Sequence, residues 1–124
     1  MSKFVKVRTE LRDVTMVKQA LDDLHLRYDE HARYDHAYSN ASREAALLVR
    51  APGATFGLQP NADGVLEVMA DDMAMHAVSQ TLQRVQQRYA YHMVRAEVEK
   101  AGFDLVEEQT GRDQVIRMTV RRWG

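Results

Sequence analysis

The sequence predicts an α+β fold: a mainly antiparallel sheet with one short and one long helix packed on one face, a ferredoxin-like core with added hairpins. Three observations lead there. Asp72 to Gly102 reads as one continuous amphipathic helix, with Val78, Leu82, Val85, Tyr89, Met93 and Ala96 recurring at spacings of three and four. Several short segments on either side of it alternate apolar and polar residues, the period of half-buried strands. The order is strand, helix, several strands, long helix, two strands, and elements with one apolar face each pack as two layers. At 124 residues, with no linker, low-complexity run or repeat, residues 1–124 make a single domain.

In chain order, residues 3–9 alternate, with Val5 and Val7 on the face expected to be buried and Lys6 and Arg8 on the other. Asp13 is placed as an N-cap for a short helix whose apolar stripe is Val14, Val17, Leu21 and Leu24. Its far face carries Lys18, Gln19, Asp22 and Asp23, read as solvated. Residues 25–44 are polar with scattered Tyr and read as a loose strand or excursion. Ala45–Arg50 is an apolar strand stopped by Pro52-Gly53. Thr55–Leu58 and Val65–Met69 flank Asn61-Ala62-Asp63-Gly64, a hairpin turn in which Gly accepts positive φ.

The long helix opens on Asp71 and Asp72 and closes on Lys100-Ala101-Gly102, acids at its positive end and a glycine at the left-handed C-cap. It covers roughly 40 Å at about 1.5 Å per residue, more than one small sheet needs. Its second half carries a second apolar face with Tyr91, Val94 and Val98, a surface suited to a homodimer contact or a partner groove. Phe103–Gln109 and Gln114–Arg122 form a final hairpin, with Ile116, Met118 and Val120 facing one way and Arg117, Thr119 and Arg121 the other.

Composition narrows the function classes. Apolar residues at 45% and charged residues at 28% are those of an ordinary globular domain. With 17 Lys and Arg against 18 acids, the net charge of −1 gives no basic footprint for nucleic acid or an anionic membrane. The absence of cysteine removes disulfides, thiol nucleophiles and Cys-ligated metals. No apolar run approaches the roughly 18 residues of a membrane span, and the N-terminus lacks a signal-peptide core, so the expected compartment is the cytoplasm.

Gln87-Arg88-Tyr89-Ala90-Tyr91-His92, Gly102-Phe103 and Val120-Arg121-Arg122-Trp123 resemble an uncharacterised family, the hypothetical chloroplast open-reading-frame thirty-five family of cyanobacteria, plastids and other bacteria. Leu11-Arg12-Asp13, Gly57, Asn61-Ala62-Asp63-Gly64 and Ala70-Asp71 match as well. The chain departs from the pattern at Asp72-Met73, where the family has an aromatic residue, and residues 27–44 have no counterpart. The resemblance implies an accessory role beside an AAA-class ATPase or a small ferredoxin, and no known activity.

Four groups of residues could carry chemistry. Arg84, Arg88, Tyr91 and Arg95 follow at spacings of four, three and four along one line of the long helix; forked guanidiniums there could hold a phosphate, a carboxylate or an acidic partner helix, against the plainer reading of a solvated face. His92 could act as a general base, against the plainer reading of a hydrogen-bonded packing residue. His25, His31 and His36 with Asp29, Glu30 and Asp35 have no zinc-motif spacing, so no metal and no cofactor is assigned. Arg117, Arg121, Arg122 and Trp123 interleave basic and aromatic groups as single-stranded nucleic-acid binders do. Met69, Met73 and Met75 read mainly as core. The leading reading is a small non-enzymatic protein-interaction module, followed by a nucleic-acid or phosphate-ligand binder, and third a small enzyme using His92.

Overall fold

Alternation in the first residues produces β1 (Phe4–Arg8), and the chain then enters α1 (Val14–Asp23). The Asp13 carboxylate accepts the Met16 N–H at 3.2 Å, as a helix N-cap should. Without a glycine, α1 stops on His25, which takes the left-handed conformation (φ 56°). Its N–H donates to Asp22 and that of Leu26 to Leu21, both at 3.0 Å, closing the last turn. Next come β2 (Tyr28–Asp35), β3 (Ser42–Ala51), β4 (Ala54–Pro60) and β5 (Leu66–Asp71). A single 3₁₀ turn (Asp72–Ala74) leads into α2 (Met75–Lys100), followed by β6 (Phe103–Thr110) and β7 (Ile116–Arg122). This computed structural model describes residues 3–36, 41–112 and 115–122.

The β4–β5 turn forms where Asn61-Ala62-Asp63-Gly64 predicts it. Asn61 Oδ1 accepts the N–H groups of Asp63 and Val65, and Gly64 supplies φ 78°. Asp71 starts the long helical run by accepting the Met73 N–H, and Gly102 (φ 90°) ends it.

Five strands form one antiparallel sheet in the order β1-β5-β4-β3-β2. Both helices cover one face of it. Val17, Ala20 and Leu21 of α1 and Val78, Val85 and Tyr89 of α2 bury there against Leu47, Val49, Phe56, Leu58, Leu66 and Val68. The α+β class, the antiparallel sheet and the shared helical face are as predicted.

The strand order is not the ferredoxin-like one. A ferredoxin-like β-α-β-β-α-β core returns the strand after its second helix to the sheet. Here, among the described residues, β6 and β7 pair only with each other, and β1 is left at an edge beside β5. The cause is the length of α2. Its 26 residues extend about 39 Å, whereas β4 and β5, the strands it packs against, have 7 and 6 residues and span about 24 and 20 Å. The far half of the helix therefore overhangs, and the terminal hairpin packs along that overhang. The apolar stripe read from the spacing follows suit: it is buried through Tyr89 and emerges at Met93. At the edge, Val5 is half-buried and Val7 is 44% exposed, so β1 lacks the fully buried face that its alternation predicts.

Residues 25–44, read as a loose strand or excursion, contain the strand β2 and the start of β3. Between Glu30↔Leu47 and Ala32↔Ala45 the register leaves His31 (φ 50°) opposite Ala46. Past this point the inward face changes. Leu47 lies in the helix-side core, whereas Ala45 packs with Ala32, Tyr34, Leu48 and Met69 on the opposite side of the sheet. The bent hairpin reaches the other edge strand: Phe4 meets Tyr34 edge-on at 4.9 Å and His36 at 4.7 Å. A Cβ at Gly57 would lie 3.2 Å from Ala45 and 3.3 Å from Tyr34, so glycine permits this crossing.

Candidate functional site

The arginine line on α2 was the sharpest chemical feature of the sequence, and the fold supplies it with acids from two other elements. Arg88 donates from Nε (3.1 Å) and Nη2 (3.0 Å) to Asp23 at the end of α1, and from Nη1 (3.3 Å) to Glu108 on β6. Its guanidinium lies 4.2 Å above the Tyr91 ring, a cation–π stack. Arg95 donates to Glu99 one turn on (3.1 Å) and to the Tyr91 hydroxyl (3.4 Å). Arg88, Tyr91 and Arg95 are thus brought together, while Arg84, one turn before Arg88, is exposed.

His92 joins the same node. Its Nε2 lies 2.6 Å from Asp23 Oδ2, the oxygen that Arg88 also uses. Burial works against the Asp23 charge, but hydrogen bonds from His92 and Arg88 outweigh it and hold the carboxyl below its ordinary range. An ionised Asp23 can only accept, so His92 carries a proton on Nε2. Burial, then hydrogen bonding to Glu108, raises the Tyr91 phenol and keeps it neutral. The node ties α1, α2 and β6 together, and its charges are satisfied internally.

Asp23 was read as solvated, and this is the role the sequence reading missed. Nothing within α1 marks it: its partners lie 65 and 69 residues away. Tyr89, one turn before His92, has an equally distant role. Its hydroxyl accepts the backbone N–H groups of Arg12 (3.2 Å) and Asp13 (3.1 Å) and anchors the start of α1.

The other predicted groups are dispersed. His25 and His31 are exposed, each at a positive φ. His36 is buried, its side chain 1% exposed, with Nε2 2.8 Å from Asp71 Oδ2. No three His, Asp or Glu side chains among the described residues converge to hold a metal. Arg117 and Arg121 share one exposed face of β7, where Arg121 stands opposite Asp104, and Arg122 points to the other face; Trp123 lies outside the described residues.

One part of the surface that the fold leaves uncovered is apolar. On the overhang of α2, Met93 is 38% and Val94 47% exposed, and Val120 on β7 is 40% exposed. Of the second face predicted for this half of the helix, Tyr91 is covered, Val98 is half-buried and Val94 is open. No helix among the described residues is long and apolar enough to cross a membrane.

Comparison with known proteins agrees with the resemblance drawn from the motifs. The chain is similar to the uncharacterized protein ycf35 of Pyropia yezoensis, 26% identical over 99% of the chain and 98% of that protein. It is 25% identical to the proteins of the same name from Guillardia theta and Cyanophora paradoxa, with the same coverage. No solved structure matches. Residues 20–119, which include Asp23, Arg88, His92 and Glu108, match the protein family of unknown function DUF1257, and the chain belongs to that family.

Proposed function

We propose that the protein is a non-enzymatic interaction subunit whose contact surface is the uncovered part of α2 together with the terminal hairpin. The observation that carries this reading is the exposure of Met93, Val94 and Val120 on one side of the α2 overhang. Contiguous aliphatic surface of this kind marks protein contacts. The arginine line supports a different role from the one its sequence suggests, because Arg88 and Arg95 are already paired with Asp23, Glu108 and Glu99. His92 is engaged by a carboxylate that it shares with an arginine, which favours a structural role over the third reading, general-base catalysis. The accessory role beside an AAA-class ATPase or a ferredoxin, implied by the family resemblance, belongs to this proposal.

The test is affinity capture from the native cell extract with wild type and Val94→Glu, followed by reconstitution with the purified partner. Expected is one stoichiometric protein, lost with Val94→Glu while the melting temperature holds. Equal capture by both baits would overturn the reading. Arg117 and Arg121 on one exposed face favour a nucleic-acid or phosphate-ligand binder as the second reading. In that case the eluate contains nucleic acid that salt removes, and Arg117→Gln with Arg121→Gln abolishes its retention.

A further inference from the structure

The exposed surface of α2 has a shape that selects one occupant. Ala90, Met93, Val94 and Glu97 form a ridge with a groove on each side. One groove lies toward the β1–α1 connection, walled by Arg8, Glu10 and Leu11. The other lies toward the terminal hairpin, walled by Phe103 and Val120. Met93 and Val94 border both. A ridge between two grooves is complementary to itself: after a two-fold rotation, the ridge of each copy enters a groove of the other. The small side chains of Ala90 and Val94 allow two helix axes to approach to about 8–10 Å.

Charge fits the same rotation. With the two-fold axis between Met93 and Val94 and the two helices antiparallel, Glu97 of one copy is level with Ala90 of the other. Ala90 borders the groove walled by Arg8. Glu97 and Arg8 therefore face each other twice, once on each side of the axis. Both are exposed, and neither forms an ion pair among the described residues. Glu10 walls the same groove as Arg8, and by the same rotation Lys100, exposed three residues beyond Glu97, comes level with Gln87, next to the Gln86 that also lines this groove.

We infer that the protein forms an isologous homodimer across antiparallel α2 helices, centred on Met93 and Val94 and flanked by two reciprocal Arg8–Glu97 pairs. This rests on the interaction reading above and names the partner of that surface as a second copy of the chain. The terminal hairpin gains a function from it. By covering Tyr91 and walling one groove, it turns a bare helix into a shaped interface.

Two measurements test the inference. Light scattering on the purified protein is expected to give twice the 14.2 kDa chain mass. Val94→Glu, Arg8→Glu and Glu97→Arg each return it to monomer with melting curves as cooperative as wild type, and Arg8→Glu with Glu97→Arg restores the dimer. The chain has no cysteine, so Val94→Cys introduces a single thiol close to the axis. Mild oxidation is expected to link that variant into a disulfide dimer, and to leave Ser79→Cys, about four turns away and exposed, without a cross-link. A monomeric wild type, or equal cross-linking of the two cysteine variants, overturns the homodimer. If that monomer still captures a different protein through Val94, the interaction reading stands without the dimer. If instead the protein dimerises but Val94→Glu captures the same partners as wild type, the homodimer is supported and the hetero-partner surface is overturned.

Discussion

Asp23→Ala offers the most direct test of the claim that the arginine line is an internal clamp. In the folded protein Asp23 accepts three hydrogen bonds, two from Arg88 and one from His92. Removing it leaves two half-buried cationic or protonated donors without their acceptor. A charge-assisted hydrogen bond lost in this way costs about 1.5–3 kcal/mol, and the partial exposure of Asp23 reduces that through solvent screening, so the expected loss is about 2 kcal/mol. For a domain of this size that lowers the melting temperature by about 6–10 °C. A thermal-denaturation cycle of Asp23→Ala, Arg88→Met and the double variant should show coupling of about 1–2 kcal/mol. The pH dependence follows from the direction of the Asp23 shift. Its folded carboxyl titrates below its unfolded value, so its contribution is full above the unfolded value of 3.8 and is lost as pH falls through the lower folded one. The gap between wild type and Asp23→Ala should therefore be constant at neutral pH and shrink below about pH 4. A melting temperature within about 1 °C of wild type at pH 7, or independent effects in the cycle, would refute the clamp and return Arg88 to the surface as a free binding group.

Three further outcomes follow from the packing. Tyr89→Phe removes the acceptor of two backbone N–H groups at the start of α1 and should cost about 1–2 kcal/mol in chemical denaturation; no measurable loss would mean that those groups are solvated instead. Gly57→Ala inserts a Cβ 3.1–3.3 Å from Met69, Ala45 and Tyr34 and should destabilise by about 1 kcal/mol, whereas an unchanged urea midpoint would show that the second face relaxes freely. Val94→Glu should change monomer stability by no more than about 0.5 kcal/mol, since Val94 lies outside the core. A larger loss would make it a packing residue and not a contact one.

Much of the local structure is legible in the sequence because its causes are local. Asp13 caps α1 through a residue three positions away, Asn61 closes its own turn, and Gly102 ends α2 by its conformational freedom. The apolar period of Val78, Val85 and Tyr89 finds the buried stripe of the long helix, because a helix can bury one face only by repeating every three or four residues. The length of that helix also announces that part of it outruns the sheet.

Tertiary structure decided the rest, wherever a residue's role depends on a partner distant in the chain. Asp23 reads as a solvated acid until α2 lays Arg88 and His92 against it. His36 reads as one of three scattered histidines until the bent β2–β3 hairpin carries it to Asp71. The strand order belongs here too: whether β6 joins the sheet or packs on the overhang depends on where α2 places Gly102, not on any pattern within β6. Periodicity identifies which faces are apolar. Which of those faces are covered, and which remain open as at Met93 and Val94, is set by the relative lengths of the helix and the sheet beneath it.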